Sequence, residues 1–394
     1  MALFVPQPDR ERLDTFCRDL VTIPSCSGSE GALAERIVQE MEALHYDQIR
    51  VDDMGNVIGR VGPEGAPAVL FDGHMDTVDV GDRGLWSDDP LAGVVRDGVL
   101  YGRGAADMKG GLAAMIHGVG ALAGGAHELV HPVYVACVVL EEPCEGLAIR
   151  HVIEQEGLRP AYVVLGEPTD LQLSRGHRGR LAIEVAVQGR SCHASAPERG
   201  TNAIYEAARF VFGLQLLAPQ LTSDALLGQA TLAVTEIESR SGSANVVPEY
   251  CRLYIDRRLT GGDTEAKALA EIKRILTRES IQADVQVPTF RTQSYTGLEV
   301  EALEVFPSWT MAEDDPLVRK AIDTVESTLG YVPRVGHWDF STDGVYTMGT
   351  AGIPTIGFGP GEERYAHSVQ EQVRLGDVHA AARVYGRLAL SLQV

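Results

Sequence analysis

Three short apolar runs constrain this chain more than any other feature, because each closes on a histidine or a carboxylate. Ala68 to Phe71 leads into Asp72-Gly73-His74, Val133 to Leu140 into Glu141-Glu142, and Ala161 to Leu165 into Gly166-Glu167. Between the first two, Met108 to Leu122 is rich in Ala, Gly and Met and reads as a buried helix. Apolar strands alternating with helices predict an α/β unit, a mixed, mostly parallel sheet with helices on both faces. In such a sheet ligands gather beyond the carboxyl ends of the strands, where these runs deliver their polar residues. Randomly scattered acids would show no such preference.

From about Gly179 the periodicity changes. Leu181 to Val187 alternates, Asn202 to Leu217 has helical spacing, and Gln229 to Ile237 and Tyr250 to Leu259 read as strands. Thr264 to Glu279 is helical again, and Ala283 to Val287 and Leu298 to Val305 follow as strands. This β-α-β-β-α-β order predicts a small ferredoxin-like α+β unit on an antiparallel sheet. A helix from Asp315 to Leu329 and an apolar strand from Ile353 to Phe358 return to the first pattern. Residues 179–309 are therefore expected as an insertion into a larger unit made of 1–178 and 310–394. The first 45 residues read as two amphipathic helices, with Leu13, Phe16, Cys17 and Leu20 on one face and Leu33, Ile37, Met41 and Leu44 on another.

The charge balance excludes some functions. Lys and Arg total 34 against 55 Asp and Glu, a formal net charge of −21. That field repels phosphate backbones, so no nucleic-acid partner is expected. No run reaches the ~18 apolar residues of a membrane helix, and no membrane association is expected. The N-terminal MALFVPQPDRERLDTF becomes charged within ten residues, unlike a secretory leader, so a cytoplasmic location is the simplest expectation. Six cysteines, Cys17, Cys26, Cys137, Cys144, Cys192 and Cys251, are scattered without a CxxC pair. That spacing is neither a disulfide framework nor a thiolate zinc site, so any metal must be held by His and carboxylates.

The strand-end residues supply that donor set. In His74-Met75-Asp76 residues two apart on an extended segment share a side, so the Asp76 carboxylate can reach the imidazole and fix its tautomer; the triplet also suits a solvated turn. Asp107 sits in GRGAADMKGG, where small residues let the backbone crowd an ion or another chain segment. It is equally placed to cap the following helix, and the two roles are compatible. Glu141-Glu142 is a costly like-charged pair at the mouth of a buried strand unless a cation or proton neutralises it. One can bind metal while the other exchanges a proton with water; a pair of exposed loop acids is the plainer reading. Glu167 repeats the strand-then-carboxylate pattern, and His367 follows a Gly/Pro-rich stretch poorly suited to a packed core. Imidazole and carboxylate favour zinc, with cobalt or manganese compatible.

GHMD, GRGAADMKGG, EEP, GEPTD and YAH, in this order and spacing, resemble the M20 family of co-catalytic metallopeptidases and deacylases over nearly the whole chain. The segment HWDFSTDGVYTMGTAGIPTIGFGPG is most similar to the YgeY-like branch. The resemblance implies two divalent ions bridged by Asp107, one completed by Glu142 and His367 and the other by His74 and Glu167. It implies that Asp76 orients His74, that Glu141 is the general base and acid, and that the Asp107-Met108 peptide is cis. It also implies that 179–309 form a lid and homodimerisation domain whose His193, in GRSCHAS, reaches the partner's site to stabilise a developing oxyanion. An ordinary surface histidine is the plainer reading of His193. Asn245, in SANVVP, and Arg258, in DRRL, fit substrate-binding positions, and Arg257 is not separated from Arg258 by sequence. Many members carry Arg in a GTDxR-like motif before the last metal histidine. Here Ser341-Thr342-Asp343-Gly344-Val345 has Val345 at that place, leaving Thr342 and Asp343 as supporting residues or Asp343 as a turn former.

The function this implies is hydrolysis of the amide bond of a small N-acyl amino acid or dipeptide-like substrate by metal-activated water. An N-carbamoyl amino-acid amidohydrolase would share the fold, but that branch usually carries His where Glu167 stands. A non-catalytic dimeric binding protein on the same fold is the other alternative, opposed by the joint presence of all five ligand candidates with Asp76 and Glu141.

Overall fold

The computed structural model describes residues 7–124 and 129–393, so the first six residues of the N-terminal reading lie outside it. Helix α1 (Arg10–Thr22) starts where the Asp9 side chain accepts the Arg12 amide at 3.2 Å, and it buries Leu13, Phe16, Cys17 and Leu20. Helix α2 (Gly31–Ala43) buries Leu33, Ile37 and Met41, the expected stripe, together with Glu40. Strands β1 (Gln48–Val51), β2 (Val57–Val61) and β3 (Ala68–His74) follow. Helix α3 (Gly110–Gly120) is buried at every position, which its Ala, Gly and Met content permits. Strands β4 (Val133–Val138), β5 (Pro160–Leu165) and β6 (Leu173–His177) complete the first pass.

The chain then enters the inserted unit: β7 (Gly179–Gln188), α4 (Ala203–Leu217), β8 (Thr231–Ser239), β9 (Tyr250–Leu259), α5 (Glu265–Arg278) and β10 (Ala283–Gln286). Its sheet runs β8-β9-β7-β10 with every pairing antiparallel, the ferredoxin-like order. Leu181, Ile183 and Val185 of β7 pack with Phe210 and Leu214 of α4 and Ile272 and Ile275 of α5 in a core of their own. The expected strand from Leu298 to Val305 is divided. Strands β11 (Thr289–Gln293) and β12 (Glu299–Leu303) form a separate hairpin, and only β13 (Val305–Phe306) joins the sheet, beside β7. Phe290, Val300 and Ala302 of the hairpin pack on the main core instead. At its tip Tyr295 donates to the Gly55 carbonyl at 3.1 Å and Thr296 to the Asp53 carbonyl at 2.6 Å. Alternation alone does not name a strand's partner, which is why the two arrangements look alike in sequence.

Strand β14 (Trp309–Thr310), helix α6 (Pro316–Leu329), strands β15 (Val335–Trp338) and β16 (Thr355–Gly357) and helix α7 (Leu375–Ser391) return to the larger unit. Its nine-stranded sheet runs β1-β2-β4-β3-β5-β16-β6-β14, with β15 beside β6. The centre is parallel: Phe71 of β3 stands opposite Val135 of β4 and Val164 of β5, and β16 runs parallel to β5. All seven residues of β3 are buried, as a strand covered on both faces must be. The carboxyl ends of β3, β4 and β5 therefore lie side by side. No helix among the described residues is long and apolar enough to cross a membrane.

Candidate active site

Those three strand ends converge on one cluster. His74 closes β3, and its Nε2 lies 3.0 Å from Asp107 Oδ1 and 3.7 Å from Glu167 Oε1. The other oxygen of Asp107 lies 3.3 Å from His367 Nε2, which is 2.8 Å from Glu142 Oε2. Asp107 thus presents one oxygen to each imidazole, with Glu167 on the His74 side and Glu142 on the His367 side. Glu141 faces His74 and Glu167, and ligand atoms of these three lie within 4.8 Å of one another. The small residues expected to crowd the site do so: a Cβ on Gly111 would stand 2.4 Å from the Gly166 carbonyl, so the start of α3 abuts the Glu167 loop. The Asp107-Met108 peptide is cis.

Two local geometries differ from expectation. Asp107 does not cap α3, which begins three residues later; its φ of −126° and ψ of 96° are extended, and its side chain turns to the imidazoles. His74 is oriented by the carbonyl of Asp76, 2.9 Å from Nδ1, while the Asp76 carboxylate is 3.7 Å away. Strand β3 ends at His74, so the same-side rule for residues two apart on a strand does not extend to Asp76. The Asp76 carboxylate instead accepts the Glu141 and Glu142 amides at 3.1 and 3.2 Å and the Ser27 hydroxyl at 2.6 Å.

Burial pushes Glu141 and Glu167 well above the usual carboxylate range, the charge on Asp107 adding to the rise at Glu167 and the charge on His74 opposing both. Burial disfavours a charge on His74, but the Asp107 hydrogen bond and the nearby Glu167 and Glu141 raise it well above an ordinary imidazole. Hydrogen bonds to Asp107 and Glu142 lift His367 to about 10. Glu167 Oε2 is buried without a hydrogen-bond partner. None of the four carboxylates is paired with a guanidinium or ammonium group among the described residues. An oxygen without a partner and four acids set against two imidazoles fit a pair of divalent ions with nitrogen and oxygen ligands.

The chain matches Peptidase family M20/M25/M40 over residues 70–391. It belongs to that family. It is accordingly a hydrolase of amide bonds. It is 41% identical to "Uncharacterized protein YgeY" of Escherichia coli (strain K12), covering 95% of this chain and 93% of that protein. It is 30% identical to succinyl-diaminopimelate desuccinylase of Stenotrophomonas maltophilia (strain K279a), covering 97% and 99%. In fold it is similar to the YXEP protein of Bacillus subtilis, a dinuclear metal binding peptidase from the M20 family, at TM-score 0.71 and 18% identity over 98% of both chains.

Behind this M20 site lie further buried polar residues, of which Glu371 is marked by no strand-end pattern. Glu371 Oε1 accepts the amides of Ala106 and Asp107, each at 3.1 Å, and Oε2 accepts Arg103 at 2.6 Å. Burial raises this carboxyl to about 7 against the pull of Arg103. Asp72, two residues before His74 on β3, is buried beside Asp343, and burial and that neighbouring carboxyl push it well above the ordinary range. Asp343 accepts the Gly146 amide at 2.6 Å, and Thr342 Oγ1 lies 3.0 Å from His177 Nδ1. Val345, where many M20 members carry Arg, is buried against Gly146.

A cleft of ≈ 360 Å³ opens over the cluster and is lined by Asp107, Glu141, Glu142, Glu167 and His367 and by Arg258 from the inserted unit. Arg257, by contrast, is buried 3.4 Å from both Asp263 and Glu271. His193 and Asn245 are adjacent to each other, the Ala194 amide donating to the Asn245 carbonyl at 2.8 Å, but neither lines this cleft. His193 is exposed, with Nδ1 accepting the Ser195 amide at 3.1 Å and lying 2.7 Å from the Ser195 hydroxyl.

Proposed function

We propose that the protein cleaves the amide bond of a small N-acyl amino acid or dipeptide-like substrate with two divalent ions, zinc by donor type, held by His74, Asp107, Glu142, Glu167 and His367. The observation carrying this reading is Asp107, whose two oxygens face the two imidazoles separately. The ions would supply a water of lowered pKa and a polarised scissile carbonyl. Glu141 takes that water's proton as the oxygen bonds to the amide carbon, and returns it to the departing nitrogen as the C–N bond breaks. The Asp76 carboxylate, gripping the Glu141 and Glu142 amides, keeps base and ligand in fixed relation. Arg258 binds the substrate from the inserted unit, with Asn245 contributing from the partner protomer.

His193 acts in the partner's site, donating from Nε2 to the developing oxyanion. Support for a homodimer comes from α4, where Tyr205, Phe212 and Leu216 form an exposed apolar stripe, Tyr205 at 70% and Phe212 at 61% exposure. Beside it β8 is a sheet edge that carries the exposed Ile237. Free, scattered cysteines fit a cytoplasmic location.

A hydrolysis screen of N-acyl amino acids and dipeptides with added zinc, cobalt or manganese tests the reading. Release of amine from one class, abolished by chelation, is expected. Two bound ions with no turnover of any amide would instead favour a binding protein.

A further inference from the structure

The cleft holds a pair of arginines that sequence spacing does not reveal. Arg180 on β7 and Arg258 on β9 are direct register partners, so their side chains leave the sheet side by side on one face. Both line the cleft with the proposed metal ligands. Like charges directly opposite one another destabilise a sheet, and each guanidinium here is tethered by one acid. Arg180 Nη2 donates to Glu145 at 2.9 Å, and its guanidinium lies 4.4 Å over the Phe306 ring. Arg258 donates Nε and Nη2 to Asp256 at 2.8 and 3.1 Å. Neither Nη1 is hydrogen-bonded among the described residues.

Glu145 belongs to the facing wall. It follows Glu142 by three residues and also accepts the Ser341 hydroxyl at 2.5 Å. The Arg180–Glu145 pair therefore crosses from the inserted unit to the metal-binding unit. Two adjacent guanidinium groups, each with an unused edge, match the planar fork of a carboxylate.

On the basis of the hydrolase reading, we propose that Arg180 joins Arg258 in a clamp for a carboxylate on the substrate, and that Glu145 competes with this carboxylate for Arg180. The substrate class narrows to amides carrying a free carboxylate on the part that reaches from the ions to the inserted unit. β7 thereby supplies a guanidinium to a cleft whose 341–345 segment offers none.

Calorimetric titration of N-acetyl amino acids and their carboxamides into zinc-loaded Glu141→Ala protein measures binding without turnover. Adding Arg180→Gln should weaken the acids by about tenfold or more, as loss of a charge-assisted hydrogen bond does, and leave the carboxamides within about twofold. Glu145→Gln keeps an acceptor for Ser341 and releases Arg180, so it should tighten the acids. A purely structural pair gives a different pattern, in which both variants weaken acids and carboxamides alike. That pattern, an unchanged Arg180→Gln, or no binding of any acid overturns the clamp. Acids that bind through Arg180 but are never hydrolysed by the Glu141-intact enzyme count against the hydrolase reading alone. Turnover insensitive to Arg180→Gln counts against the clamp alone.

Discussion

His74, Glu142 and Glu167 were legible because a residue's place at the end of an apolar run is a local property of the sequence. Glu371 and Arg180 were not, because what defines them is a partner far along the chain. Glu371 grips the Asp107 amide across 264 residues, and Arg180 meets Arg258 only through strand register. Asp72 has a local position, but its neighbour Asp343 lies far along the chain. Glu141→Ala is expected to abolish turnover while the zinc content measured by mass spectrometry stays at the wild-type level; loss of zinc would make Glu141 a ligand. Glu371→Ala leaves the Ala106 and Asp107 amides and Arg103 without their acceptor. Zinc affinity, measured by competition with a chelator, should fall about 10–100-fold, as it does when a group supporting a ligand is removed. An unchanged affinity would show that the Asp107 loop holds its place without Glu371.

At the scale of elements, helices α1, α2 and α3 were legible from their stripes and composition, but the ion cluster joining them was not. Glu40 of α2 faces Arg12 of α1 at 2.6 Å, Arg36 at 2.9 Å and His117 of α3 at 3.1 Å. Burial would raise its carboxyl, but these contacts hold it at about 2. A depressed carboxylate stabilises the fold fully above its unfolded value, near 4.5, and that contribution is lost as the pH falls towards 2. Glu40→Gln should therefore lower the thermal midpoint by several degrees at pH 7, with the gap closing between pH 4.5 and 2. A gap independent of pH would mean that packing, and not charge, sets the effect. The β11–β12 hairpin shows the limit of element reading: its alternation is that of any half-buried strand, and its docking on Gly55 depends on Tyr295 fitting a glycine surface.

At the scale of the whole molecule, the alternation of patterns foretold two cores, one sheet mostly parallel and one antiparallel, with the metal site beyond the strand ends of the first. His193 and Asn245 stand outside the cleft of their own chain, which the proposed homodimer would explain. Mixing His193→Ala with Glu141→Ala subunits should restore activity towards about a quarter of wild type if each site takes its base from one chain and His193 from the other. No recovery would place both groups in the same chain, and full activity of His193→Ala alone would remove His193 from the reaction. Anomalous diffraction from zinc-loaded crystals would show whether Asp107 joins two ions. Two peaks per chain are predicted, roughly 3.5–4 Å apart, one beside His74 and Glu167, the other beside Glu142 and His367, each touching one oxygen of Asp107. A single peak, or two peaks with Asp107 touching only one, would mean that Asp107 does not bridge two ions.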